Sequence, residues 1–295
     1  KEYSFWMNGA GRLTPEENAI KRVAMLEDGS LLNRFWDEND SPRPEAYKED
    51  IELAHDTDSK ANLYRHIRAA AESGWDFSSR WFKNPDKFSS IHTTDIIPVD
   101  LNCLLADVEV TLSEIYLRLN QSEKAKSYNE ASERRISAIK KYCWDESKSF
   151  FFDFDFTQNK KTDSLTLAGV FPLFCSIAND GQAQKVAHVI KKEFLKPGGL
   201  TTTIQKTGQQ WDAPNGWAPL QWITFAGLKN YQQHELADTI KSNWLKTCEG
   251  VYRETGKIME KYDVFGSGEV GGGGEYPNQD GFGWTNGVYL AMKNA

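Results

Sequence analysis

The sequence predicts a mainly α protein, an α/α toroid with short β-ribbons in its loops. Three observations carry this. Apolar residues recur at intervals of three and four over long stretches, these stretches come in pairs split by polar or glycine breaks, and the strand signals are short and confined to connections. A three-layer α protein with small ribbons would share the same local signals. There is no internal sequence repeat, so the helical pairs are structural equivalents at most.

Taken along the chain, Arg22 to Leu26 and Ser30 to Trp36 flank Asp28-Gly29, a strong hairpin turn signal. Lys60 to Ser73 reads as a helix. From Asn102 to Lys141, Leu104, Val108, Leu112, Ile115, Leu119 and then Ala131, Ile136 and Ile139 keep helical spacing, with a polar break near Asn120 to Glu123; this predicts a helical hairpin. Phe150 to Phe156 alternates aromatic residues and aspartate like a strand. A second helical pair is expected over Ser164 to Ile177 and Gly181 to Phe194, ended by Pro197-Gly198-Gly199, and a third over Trp217 to Leu228 and His234 to Trp244. Val251 to Tyr262 reads as a ribbon folding back at Thr255-Gly256, and Gly283 to Met292 as a terminal helix.

Composition excludes several classes of function. The 295 residues carry a net charge of -7, with a pI near 5.4 and a mean hydropathy of -0.61. A chain of this length folds readily as a single domain, which is the expectation here. No Lys/Arg run could track a phosphate backbone, so no nucleic-acid partner is expected, and no apolar run reaches the roughly 18 residues a membrane span needs. Cys103, Cys143, Cys175 and Cys248 are too widely spread for a metal knuckle or a disulfide scaffold, and read as small buried hydrophobes. The five histidines show no metal-ligand spacing, so neither metal nor cofactor is expected. Asn39-Asp-Ser41 and Asn120-Gln-Ser122 would matter only in a eukaryotic secretory setting. The chain starts at Lys1 without a signal pattern, which suggests a removed leader or a piece of a longer protein.

Two segments point to a ligand. Gln209 to Trp222 reads QQWDAPNGWAPLQW, and Gly271 to Gly287 reads GGGGEYPNQDGFGWTNG. They join tryptophans, carboxylates and amides to sharply turning backbone, as a pocket for a polyhydroxylated, uncharged ligand requires. The plain alternative is core aromatics and turns.

Candidate chemical groups lie elsewhere as well. Asp76, in SGWDFSSRWF, sits between Trp75 and Phe77; burial among aromatics disfavours the charged carboxylate, making Asp76 a candidate general acid. It could equally cap the next helix or pair with Arg80. Glu260, in KIMEKYD, is expected on the second strand of the ribbon turning at Gly256, pointing into whatever that ribbon covers; a glutamate beside a lysine is otherwise usually solvated. Arg43 and Glu45, in SPRPEAYKED, are held between prolines in extended backbone with side chains on the same side, either as sugar-binding groups or as a stiff surface loop. Glu275 follows four glycines that could close over a ligand. Asp95, Asp100, Asn102, Asp212 and Asn215 read as loop braces before ligand contacts.

At these residues the chain resembles the trehalases, inverting hydrolases of α,α-trehalose built on an (α/α)6 toroid. Gln210 to Pro219 is similar to their tryptophan signature and Gly271 to Gly287 to their glycine-rich element, in the form of bacterial members. The likeness extends through RPEAYKED, SGWDFSSRW and IMEKYD and so covers essentially the whole chain. It implies hydrolysis of trehalose to two glucoses, with Asp76 as general acid and Glu260 as general base. It also implies Arg43, Glu45, Gly74, Trp211 and Glu275 as sugar contacts, and no cofactor. A disaccharide is the expected partner, a monomer the expected state, and the periplasm is favoured over the cytoplasm. One departure is large: the second trehalase signature, PGGRFxExYxWD, is absent. The expectation is a catalytic domain without its first helical hairpins, an open toroid with both carboxylates present and one wall of the site missing. Another α-glucosidase on the same toroid, or a non-catalytic sugar-binding fragment, would share these features.

Overall fold

Helical spacing becomes ten α-helices among the described residues, 1–266 and 271–295 of a computed structural model. They are α1 (Glu2–Trp6), α2 (Tyr47–Leu53), α3 (Lys60–Glu72), α4 (Val99–Arg118), α5 (Ser122–Tyr142), α6 (Phe171–Phe174), α7 (Asp180–Val189), α8 (Ala218–Asn230), α9 (His234–Thr255) and α10 (Gly283–Asn294). In the α4–α5 hairpin the chain turns at Asn120, whose φ of 57° lies in the left-handed region that asparagine tolerates best among residues with a side chain. Asn179 starts α7 with a reciprocal capping box: its side chain accepts from Gln182 N at 2.8 Å, and its own N–H donates to the Gln182 side chain at 3.0 Å.

The helices pack in a succession that defines the toroid. α4 lies against α6, α6 against α8, and α8 against α10, forming an inner arc, while α5 backs α4 and α9 backs α8 from outside. One connected cluster of buried apolar side chains runs from Ala24 to Met292. The buried face of α4 differs from the predicted one. Leu104, Ile115 and Leu119 are exposed, whereas Leu105, Ala106, Glu109 and Ser113 are buried. The reason is polar pairing: Glu109 accepts from Arg135 of α5 at 2.9 Å, and Ser113 Oγ donates to the Ala125 carbonyl at 2.8 Å, so polar residues occupy the stripe that packs on α5.

The strands are short, as expected. β1 (Ala19–Ile20), β2 (Val23–Met25) and β3 (Leu31–Asn33) form an antiparallel sheet around the Asp28-Gly29 turn. β4 (Ile96–Ile97) pairs with β7 (Phe154–Asp155), which pairs with β8 (Lys160–Lys161); β5 (Trp144–Asp145) pairs with β6 (Phe150–Phe151); and β9 (Leu195–Lys196) with β10 (Gly199–Leu200). The predicted ribbon over Val251 to Tyr262 is absent. Val251 to Thr255 ends α9, and Gly256 is its left-handed cap with φ of 70°. A Thr-Gly pair serves a hairpin or a helix end equally well, and packing of Val251 in the core selects the helix. The partner of the strand after Glu260 is instead β11 (Asn215–Trp217): β12 (Lys261–Asp263) runs antiparallel to it with Gly216 opposite Tyr262 and Trp217 opposite Lys261.

Besides the segment before α2 that holds Arg43 and Glu45, three loops carry the candidate residues: the one after α3, the one leading into α8, and the one between α9 and α10. Each precedes an inner helix, α4, α8 or α10, so all three are delivered to the same end of the arc.

Candidate active site

Asp76 is positioned by a helix end and two buried rings. Gly74, with φ of 76°, terminates α3, and an added Cβ there would meet nothing within 4 Å, so this backbone is open to a ligand. Trp75 and Phe77 are buried on either side, leaving Asp76 half-buried. Its carboxyl is pushed up to about 6, chiefly by burial; the charges of Glu275 and Glu260 add to this, while a backbone N–H and the Arg43 guanidinium oppose it. Neither structural alternative holds. Ser78 caps the turn that follows, accepting from Arg80 N at 3.1 Å, and Arg80 pairs at 2.7–2.8 Å with Asp100 and Asp153.

Glu260 points inward, only 3% exposed, although the strand expected to carry it is the loop just before β12. Its backbone N–H donates to the Gln279 carbonyl at 2.8 Å, which fixes the residue against the stretch leading to α10. Its side chain is held at both oxygens: Lys261 Nζ donates to Oε2 at 2.9 Å and Tyr276 Oη to Oε1 at 3.2 Å. Gln210 joins this cluster to the acid's loop. Its amide oxygen accepts from Lys261 Nζ at 2.9 Å, and its amide nitrogen donates to Tyr276 Oη at 3.3 Å and to the Asp76 backbone carbonyl.

Arg43 reaches the same region through carboxylates. It donates to Asp50 at 2.7 and 3.1 Å and to Glu275 at 2.8 and 3.1 Å, with its guanidinium 4.8 Å from the centre of the Phe77 ring. Among the described residues four of its five N–H groups are engaged, leaving one at Nη1. Glu45 departs from expectation: Pro44–Ala46 is a 3-10 turn, not extended backbone, so Arg43 is buried while Glu45 faces solvent. Trp211 is 4% exposed and stacked on Trp217 at 4.0 Å with planes 2° apart, and on Trp75 at 5.2 Å. Trp75 and Trp217 form no ring pair with each other, so the three indoles run as one stack and both faces of Trp211 are taken. Its buried indole N–H has no partner among the described residues, and with both faces covered the ring is not a flat platform for a sugar.

The braces behave as braces. Asp212 accepts from Ser78, Ser79, Thr203 and Thr207, tying the acid's loop to the tryptophan segment, and Asn215 donates to the carbonyls of Gln210 and Gly272. Among the described residues no group of three or more His, Cys, Asp or Glu could hold a metal. The four cysteines are free, three buried and Cys175 partly so. A cavity of about 610 Å³ lined by Tyr3, Met7, Glu109 and Arg135 touches none of the candidate residues. Gln210, Lys261, Tyr276 and Asp50 are the functional neighbours that sequence reasoning missed. All four sit inside the quoted motifs; Asp50 meets Arg43 within one motif, whereas Gln210 reaches Asp76, Lys261 and Tyr276 across loops distant along the chain.

Comparison with known proteins identifies the family and the fold. The trehalase family model matches residues 1–294. The periplasmic trehalase of Salmonella paratyphi C is 48% identical over 294 residues, covering 99% of this chain and 51% of that protein, and that of Salmonella newport is 47% identical over the same extent. This chain therefore spans about half the length of the curated relatives it matches. Among solved structures, the neutral trehalase of Saccharomyces cerevisiae superposes with a TM-score of 0.77 at 22% identity, over 99% of this chain and 55% of that one. A GH63 mannosylglycerate hydrolase from Thermus thermophilus in complex with glucose gives 0.56 at 19% identity, over 84% and 58%. These likenesses support the same toroidal fold, and no helix among the described residues is long and apolar enough to cross a membrane. With a family match over 294 residues and relatives near half identical, the chain belongs to the trehalase family.

Proposed function

We propose that this chain carries the catalytic pair of an enzyme that hydrolyses α,α-trehalose to two glucoses with inversion. Asp76 protonates the bridging oxygen as it leaves, and Glu260 takes a proton from a water attacking the opposite face of an oxocarbenium-like sugar. The observation that carries this reading is the contrast between the two carboxyls. Burial holds Asp76 in its acid form to about pH 6, while Glu260 accepts from a buried ammonium, so one group is set to give a proton and the other to receive one. Arg43, Glu275, the open backbone at Gly74 and the indole N–H of Trp211 are the proposed hydrogen-bonding groups for the sugars, with Glu45 at the solvent side. We assign residues 1–295 to one catalytic domain acting as a monomer on a disaccharide, with no nucleic-acid partner, and place it in the periplasm on the strength of its relatives' names.

Product NMR tests the reaction: one α- and one β-glucose per trehalose at early times is expected, and two α products exclude inversion. Maltose and trehalose 6-phosphate, run beside trehalose, separate this reading from another α-glucosidase. A second reading, a sugar-binding fragment without turnover, has one observation in its favour, the half-length match. Calorimetry showing trehalose binding by folded chain that releases no glucose would establish it.

A further inference from the structure

This inference rests on the role proposed above for Glu260. We propose that Lys261 and Tyr276 are positioning residues that hold the Glu260 carboxylate by both oxygens, and that Gln210 sets the spacing of base and acid.

Lys261 is fully buried, an environment that disfavours an ammonium by several kcal/mol unless its donors are met. Two of its three N–H groups are met, by Glu260 Oε2 and Gln210 Oε1, each at 2.9 Å. The nitrogen also lies 5.2 Å from the Trp217 ring centre and 4.9 Å from that of Tyr276, so aromatic faces close round it. An apolar side chain of similar length would fill this space without a desolvation penalty. A lysine here is explained by what it does to Glu260.

Tyr276 takes the other oxygen of the carboxylate at 3.2 Å. With one donor on each oxygen the carboxylate cannot rotate freely, and each oxygen keeps one lone pair aimed in a fixed direction. A general base needs that arrangement to receive a proton from one water position. Gln210 then binds both clamps, accepting from Lys261 and donating to Tyr276, while the same amide donates to the Asp76 carbonyl. A single side chain so links the backbone of the acid to the support of the base.

Among the described residues the charged or titratable groups that act on Glu260 are Lys261 and Tyr276, by hydrogen bonds, and Asp76, through its charge. The test compares Lys261→Met, Lys261→Arg, Tyr276→Phe and Glu260→Gln in the full protein, reading kcat, KM and the pH profile on trehalose. Loss of a residue that orients a reacting group costs about 10- to 100-fold. Lys261→Met is expected to lower kcat by that factor with KM changed less than about threefold, the pattern of support felt in the transition state, and to move the acidic limb of the profile to higher pH. Lys261→Arg, which keeps the charge, recovers part of the loss. A folded Lys261→Met protein with parental kcat and an unmoved acidic limb overturns the inference, as does a change confined to thermal stability. Should Lys261→Met fail to fold, Tyr276→Phe decides, since that residue is 37% exposed and loses only a hydroxyl: a lowered kcat at parental KM is expected, and parental kcat overturns the clamp. Full turnover in Glu260→Gln, or none in the parent protein, overturns the proposed function itself.

Discussion

At the scale of the residue, Asp76 works against the stability of the fold that holds it. Its carboxyl is raised from 3.8 to about 6, so the folded state keeps a proton that the unfolded chain has released between those values. The stability this contributes is complete below about pH 4 and is lost as pH rises through about 6. Asp76→Asn should therefore stabilise the protein at pH 7, by about 1–2 kcal/mol after allowance for solvent screening, and make no difference near pH 3.5. The same variant should lose about 10²- to 10⁴-fold in turnover. Thermal unfolding at the two pH values checks the first statement, and an equal effect at both would refute it. In the parent, kcat/KM should fall on the alkaline side as pH rises through about 6, because the acid must be protonated to act; a profile flat from pH 5 to 8 contradicts the assignment. Asp76 was legible in the sequence because the rings that bury it, Trp75 and Phe77, are its chain neighbours. Glu260 was only weakly so, because a lysine beside it suggests solvent; Trp217, Gln210 and Tyr276, brought in from other parts of the chain, surround that pair.

At the scale of the element, the pairing of β11 with β12 places the base, and Gly216 is its tightest point. A Cβ there would come 2.5 Å from Val264 Cγ1 and 2.6 Å from the Leu200 carbonyl oxygen, a backbone atom that cannot swing aside. Gly216→Ala should destabilise the fold by about 2–3 kcal/mol and lower turnover with it, read by denaturant unfolding and kcat. An unchanged unfolding midpoint would mean that the strands absorb the methyl group. The long helices were readable because their spacing is a local property, whereas the one expected over Ser164 to Ile177 is a 3-10 turn, Leu167–Val170, running into the four residues of α6. Their buried faces were less so. On α4 the buried stripe carries Asn102, Glu109 and Ser113, whose partners Asn33, Arg135 and Ala125 lie in other elements. The misplaced ribbon has a similar origin, since whether Thr255-Gly256 closes a hairpin or caps a helix depends on what Val251 packs against.

At the scale of the whole molecule, Arg80 ties three parts of the chain together. Fully enclosed, it binds Asp100 at the start of α4 and Asp153 beside β7 from the loop that carries Asp76. Arg80→Met would leave two buried carboxylates without their cation, and should destabilise by about 3–5 kcal/mol, measured as a lowered unfolding midpoint. A loss below about 1 kcal/mol would show that water reaches the site in the folded state. The toroid itself was legible from paired helical runs, whereas the assembly of its loops at one end was not, because it depends on which helices become the inner arc. The indole pile of Trp75, Trp211 and Trp217 spans that assembly, one ring from the acid's loop and two from the strand segment beside the base. Rings packed this closely lose mobility and sit in one another's field, so their near-ultraviolet circular dichroism depends on the stack being intact. The protein thus contains its own optical gauge of whether its two halves of chemistry are in register.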